Sequence, residues 1–206
     1  MILSLQGCMA VGKTTAAGYL KEHAPYVHIS YEDNADVIQT VRRRGLDKNK
    51  YEDYLEIQRL FLQNEIERYK KALPFSCTVM DFGAEEIEFY TLNYPKTIGQ
   101  DWDVEHALRD ELARVRACMP ERILFLDASA ETLRSRKAGD ATRTREFFEY
   151  HLTHLMPFKR AWFLGKENTD CLPVDCLSPD EVGARVKKWV DSCIRNHTHH
   201  PFHTHA

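Results

Sequence analysis

The chain has 206 residues with 28 basic and 31 acidic side chains, a formal charge of −3, which argues against nucleic acid or an anionic membrane as its main partner. Hydrophobic residues at 43% and charged residues at 29% are soluble-globular proportions, and one domain of this length buries about 70% of its unfolded surface, so disulfides and structural metal are not required. Six cysteines occur without any C-x-x-C spacing, which excludes zinc-ribbon and thioredoxin patterns and fits reduced thiols in a cytoplasmic protein.

The opening run, residues 2–5, is apolar and stops at Gly7, as a buried parallel strand does; it lacks the basic flank of a signal peptide. A helix is expected over 13–22, a strand over 26–30 after Pro25, and a helix over 35–44 that ends at the C-cap residue Gly45. Tyr54, Leu55, Gln58, Leu62, Ile66 and Tyr69 recur at helical spacing and predict a long helix over 51–73, stopped by Pro74. Residues 77–81 read as the third strand. The stretch 84–103, with many aromatics, Pro95 and Gly99, reads as a short helix followed by a loop, and 104–118 as a helix. A fourth strand is expected over 123–127, a helix capped by Ser129 to residue 136, a basic glycine-containing loop over 137–144, and a helix over 145–164 kinked or broken at Pro157. A weak fifth strand covers 170–174. Ser178-Pro179-Asp180-Glu181 is a capping box with proline at the first helical position, opening a helix to about residue 195. No run approaches the roughly 18 apolar residues of a membrane span. The alternation means a single α/β domain over 1–195 with a mostly parallel sheet and right-handed crossovers, followed by a His-rich tail over 196–206. That tail (His197, His199, His200, His203, His205) reads as solvated, since no acid or cysteine accompanies it.

Gly7-Cys8-Met9-Ala10-Val11-Gly12-Lys13-Thr14, followed by Thr15, satisfies G-x-x-x-x-G-K-[ST] between a strand and a helix. Glycines let backbone N–H groups wrap a phosphate closely, the helix N-terminus faces the anion, Lys13 reaches the β- and γ-phosphates, and the Thr14 hydroxyl ligates Mg²⁺. The donor is thus ATP, with GTP left open. A switch GTPase would need N-K-x-D; Asn49-Lys50 is followed by Tyr51-Glu52, and the only D-x-x-G, Asp180 to Gly183, lies in the capping box. Asp81-Phe82-Gly83 spells the D-F-G of protein kinases, but their H-R-D and G-x-G-x-x-G segments are absent. Asp81 instead ends a strand, where an acid holds the water shell of Mg²⁺. Arg134, Arg136, Lys137, Arg143 and Arg145 form an arginine-rich lid suited to charge developing on a transferred phosphoryl group.

With these segments in order, residues 1–165 resemble the P-loop nucleoside and nucleotide kinases, especially the deoxyribonucleoside kinase and thymidylate kinase branch. The segments are the phosphate loop, Glu32-Asp33, the helix bearing Gln58-Arg59-Leu60-Phe61-Leu62 with Glu65 and Arg68, Asp81, Leu126-Asp127-Ala128-Ser129 with Glu131-Thr132-Leu133, and the lid. The resemblance implies a three-layer α/β sandwich with five parallel strands in the order 2-3-1-4-5. It implies Glu32 or Asp33 as base or anchor for an acceptor hydroxyl and Gln58 as reader of a nucleobase edge. It also implies an arginine after the third-strand acid, where this chain carries Phe82. The expectation is therefore an ATP- and Mg²⁺-dependent kinase acting on a small acceptor, a nucleoside or nucleotide. Lys13, Arg136, Arg143 and Arg145 would stabilise the transition state, with Thr14 and Asp81 on the metal, no nucleic-acid or membrane partner, and a homodimer left open. Beside it stand a kinase for a non-nucleoside acceptor, favoured if Gln58 faces away from the pocket, and a nucleotide-binding regulatory protein, which predicts no second cavity beside Lys13. Arg42-Arg43-Arg44 reads as a solvated helix end, and Phe89, Tyr90, Tyr94 and Trp102 as core.

Overall fold

The computed structural model describes residues 1–139 and 147–199. Five strands, β1 (Ile2–Gly7), β2 (His28–Ser30), β3 (Thr78–Asp81), β4 (Arg122–Asp127) and β5 (Thr169–Pro173), form one all-parallel sheet in the order β2-β3-β1-β4-β5. The central β1 pairs Leu5 with Asp81 of β3 and Gly7 with Leu126 of β4. The ends of β1 and β3 therefore lie side by side, the usual place for ligands in an open α/β sheet.

Right-handed crossovers place α1 (Lys13–His23) on one face, where it packs on α10 (Pro179–His199). The other face carries α2 (Ala35–Arg44), α3 (Tyr51–Ala72), α4 (Ala84–Thr97), α5 (Val104–Ala107), α6 (Arg109–Arg116), α8 (Phe148–Tyr150) and α9 (Met156–Leu164), while α7 (Ala130–Gly139) lies against the phosphate loop and the turn after β5. The helices on this face build an extra core of their own around Tyr54, Leu62, Ile87, Tyr94, Leu108 and Leu112. On the first face, Val182, Val186 and Val190 recur every four residues along α10 and are buried. Gly183 lies against the Tyr19 ring: a Cβ there would come within 2.7 Å of Tyr19 Cβ. The predicted capping box is present, with Glu181 N–H donating to Ser178 Oγ (3.3 Å) and Ser178 N–H to Glu181 Oε2 (2.8 Å).

Several boundaries differ from the sequence reading. α4 runs 14 residues through Pro95 rather than breaking early; proline falls in its last turn, and the helix is buried on two sides, Phe89 in the sheet core and Ile87 and Tyr94 in the core built by the helices. The predicted helix 104–118 divides at Leu108 into α5 and α6. The break expected near Pro157 is a π-helical turn, His151–Leu155, after which α9 restarts with Pro157 in its first turn, where the missing N–H costs nothing. Residues 137–139 of the expected lid belong to α7; the remainder, with Arg143 and Arg145, lies outside the described residues, as do His200, His203 and His205.

Beneath the sheet's ligand edge is a buried polar knot. Ser4 and Gln6 point from β1 to Glu85 at the start of α4: Ser4 Oγ and Gln6 Nε2 (2.5 Å) donate to its carboxylate, as does Gly83 N–H (3.0 Å). All three donors converge on Glu85 Oε1, whereas Glu85 Oε2 and Gln6 Oε1 are buried without a hydrogen-bond partner. The knot fixes the start of α4, and with it Glu86 and Tyr90, relative to β1.

Candidate active site

The phosphate loop is coiled by three residues at positive φ: Gly7 (136°), Ala10 (65°) and Gly12 (109°). Gly7 is required by space as well as by conformation. A Cβ there would press into the Leu126 carbonyl oxygen and stand 3.0 Å from Val11 Cγ1. Lys13 folds back over the loop, its Nζ donating to Gly7 O (3.1 Å) and Cys8 O (3.0 Å). Its ammonium is destabilised by burial first and by Lys159 second, with Asp81 and Glu86 opposing. Thr14 Oγ1 donates to Asp81 Oδ2 at 2.8 Å, so hydroxyl and carboxylate meet between β1 and β3. Together with the glycine cradle, this pair of hard oxygen donors fits a polyphosphate and a Mg²⁺ ion. Cys8 is buried under the loop, its Sγ 3.4 Å from His151 Nδ1, and burial pushes its thiol up. His151 is held neutral, at about 3, by burial and by the two lysines, Lys159 and Lys13.

The loop floors a cleft of about 1110 Å³ lined by Met9 through Thr15, Glu32, Asp81, Glu86, Lys159 and others. A second chamber of about 370 Å³ adjoins it. Its walls include Val41, Ile57, Phe61 and Ile87, with Asn34, Lys48 and Gln58 among its polar groups. Glu32, Phe82, Glu86 and Tyr90 line both spaces. Gln58 is 2% exposed, accepts from Thr91 Oγ1 (2.8 Å) through its carbonyl oxygen, and faces the second chamber.

Of the two acids after β2, Glu32 faces both chambers, whereas Asp33 lines neither and engages Asn64 through its backbone carbonyl (2.8 Å). Glu32 sits on an exposed loop, yet the cleft around its carboxyl raises its pKa by desolvation; Asn34, donating at 2.6 Å, opposes, and Asp81 and Glu86 reinforce the rise. Phe82 adopts a left-handed φ of 45°, uncommon for a bulky side chain. Its carbonyl accepts from Arg68 Nη2, and Arg68 in turn lies 3.2 Å from Glu65. Burial pushes the Glu65 carboxyl up to about 8, with Arg68 opposing.

Arg136, expected to stabilise the transition state, lines the cleft from α7. Its guanidinium donates to Val11 O (2.8 Å), Val174 O (2.6 Å) and Leu177 O (3.3 Å). It ties the phosphate loop to the turn between β5 and α10 and lines the cleft, with three of its five N–H donors on carbonyls. Arg42, Arg43 and Arg44 are exposed, and Arg44 pairs with Glu56 at 2.7 Å. Phe89 and Tyr94 are core, as expected, but Tyr90 stands between the chambers. Sequence reasoning did not single out Glu86, Lys48 or Lys159. The signal for Lys159 was the Lys159-Arg160 pair inside the otherwise apolar run Met156–Leu164.

The chain has the fold of the nucleoside and nucleotide kinases. A deoxyadenosine kinase from M. mycoides, solved with its products dCMP and dCDP, superposes with a TM-score of 0.68 at 16% identity, covering 93% of this chain and 100% of that one. Thymidylate kinase from Candida albicans gives a TM-score of 0.65 at 15% identity, covering 94% and 92%. No family model and no curated protein matches the sequence. Among the described residues no helix is long and apolar enough to cross a membrane, and no cluster of three metal-ligating side chains occurs.

Proposed function

We propose that the protein is a cytoplasmic kinase that moves the γ-phosphoryl group of ATP to a hydroxyl of a small, uncharged acceptor of nucleoside size. The observation that carries this reading is the pair of chambers, one floored by the phosphate loop and one mostly apolar, sharing the wall Glu32, Phe82, Glu86 and Tyr90. A regulatory nucleotide switch has no need of the second chamber, and Gln58 facing into it favours a nucleobase over an unrelated alcohol. The charge of the second chamber favours a nucleoside over a monophosphate. It is lined by two carboxylates, Glu32 and Glu86, and among the described residues by one cation, Lys48, whose ammonium is disfavoured by burial. Arg42–Arg44, which could have met an acceptor phosphate, lie outside it. The two structural neighbours, a nucleoside and a nucleotide kinase by name, support phosphoryl transfer in general. Six free cysteines support a reducing compartment.

In this reading Lys13 holds the β- and γ-phosphates, and Glu32, its carboxyl raised by desolvation, accepts the proton of the acceptor hydroxyl. Thr14 and Asp81 would hold Mg²⁺, which neutralises charge on the transferred group. Asp33 is left without a part. A transfer screen with ATP and Mg²⁺ over nucleosides, nucleoside monophosphates and unrelated alcohols tests the proposal, with Lys13→Ala as control. Phosphorylated nucleosides, and loss of transfer in the control, are expected. ATP binding without transfer to any acceptor overturns the kinase reading, and preference for monophosphates overturns the uncharged acceptor.

A further inference from the structure

Lys159 is 1% exposed, although a lysine ammonium is among the costliest groups to bury. It reaches this position through the π-helical turn His151–Leu155. One extra residue in a turn rotates everything after it by about 100°, and such turns recur at functional sites. The consequence is that Lys159 points inward at the phosphate loop while its neighbours Phe158 and Arg160 are exposed. Its Nζ donates to Gly7 O (3.0 Å) and to Glu86 (2.8 Å). An ammonium has three N–H donors, so one remains, on a residue that lines the donor cleft.

Two cations therefore converge on one oxygen, since Lys13 Nζ also donates to Gly7 O at 3.1 Å. Like charges gathered in a half-buried cradle repel, and an anion placed there relieves the repulsion. The β3 end offers no competing cation: Phe82 occupies the position after Asp81, and the Arg68 guanidinium behind it is engaged with the Phe82 carbonyl and Glu65. Arg136 also lines the cleft, with three of its five N–H donors on backbone carbonyls. Among the described residues, Lys13 and Lys159 are the lysines and Arg136 the arginine that line the donor cleft.

We propose that Lys159 is a second phosphate-binding lysine, delivered from α9, that contacts the bound polyphosphate opposite Lys13, with Glu86 as its resting counter-ion. The inference rests on the reading of this cleft as a triphosphate site. The alternative is that Lys159 only neutralises Glu86, and the two roles separate in a double variant. Titration calorimetry with inorganic tripolyphosphate and with MgATP would compare Glu86→Gln with Glu86→Gln/Lys159→Met, a pair in which the Glu86 carboxylate is never left buried without its lysine. Loss of a charged hydrogen bond predicts about 10- to 150-fold weaker tripolyphosphate binding in the double variant than in Glu86→Gln. Arginine at 159 in the Glu86→Gln background should recover part of it. Equal affinity of Glu86→Gln and the double variant, with both melting cooperatively, overturns the proposal. Wild-type protein that binds tripolyphosphate but phosphorylates no acceptor removes the kinase reading while leaving the Lys159 comparison intact. Wild-type protein that binds no tripolyphosphate removes both.

Discussion

Replacing Gln58 by leucine separates acceptor recognition from stability. The amide carbonyl of Gln58 is committed to the Thr91 hydroxyl at 2.8 Å, so what the side chain offers the second chamber is its two N–H donors. Leucine fills the same volume and offers none. Two neutral hydrogen bonds to a nucleobase edge contribute about 0.5–1.5 kcal/mol each, so kcat/KM for the acceptor should fall about 5- to 150-fold. The unpaired Thr91 hydroxyl is present in both free and bound protein. It therefore lowers folding stability, by about 1–3 kcal/mol, without entering the acceptor term. Gln58 does not line the donor cleft, so the KM for ATP should stay near wild type. Steady-state ADP release with varied nucleoside and varied ATP reads both constants, and a urea titration reads stability. An acceptor kcat/KM within twofold of wild type, or an equal loss in both substrates' constants, would refute the assignment of Gln58 to the acceptor.

Three further outcomes follow from the geometry. Desolvation raises the Glu32 carboxyl above its ordinary 4.5. Since the base must be ionised, kcat/KM should fall as pH drops through that raised value, and Glu32→Gln should flatten this limb while slowing transfer about 10²- to 10⁴-fold; an acid limb centred at or below 4.5 contradicts the role. Gly7→Ala places a Cβ into Leu126 O at a φ of 136°, so the loop cannot keep its course, and the thermal stabilisation normally produced by ATP should vanish in a melting assay. Gly183→Ala drives a methyl into the Tyr19 ring where α1 meets α10, which should cost about 1–3 kcal/mol by denaturant titration, with KM for both substrates unchanged because the methyl lands behind the sheet rather than in the cleft.

The strands β1, β3 and β4 were readable because each is a short, largely apolar run closed by glycine or an acid, and the phosphate loop because strand, glycines, lysine and helix are contiguous. α4 was partly hidden because Pro95 and Gly99 read as breakers, yet the Thr91 carbonyl that Pro95 cannot bond accepts from the Tyr54 hydroxyl at 2.9 Å. Glu32 could be separated from Asp33 only in three dimensions, since adjacent residues on a loop can face opposite ways. Arg136 lines the cleft, but the carbonyls of Val11, Val174 and Leu177 take three of its N–H donors, and local sequence does not reveal such acceptors. Lys159 was the least legible. Its inward direction depends on a π-helical turn several residues earlier, so the 3.6-residue period does not apply across it.

The wall common to the two chambers also bears on inhibition. Because Glu32, Phe82, Glu86 and Tyr90 belong to both spaces, a single compound joining a nucleoside to a polyphosphate tail could occupy them together. The second half would then bind as a tethered group at millimolar effective concentration rather than as a free solute. Such a compound should compete with each substrate separately. The number of phosphates in its linker at which affinity peaks would measure, in solution, the distance between the donor cradle and the acceptor hydroxyl.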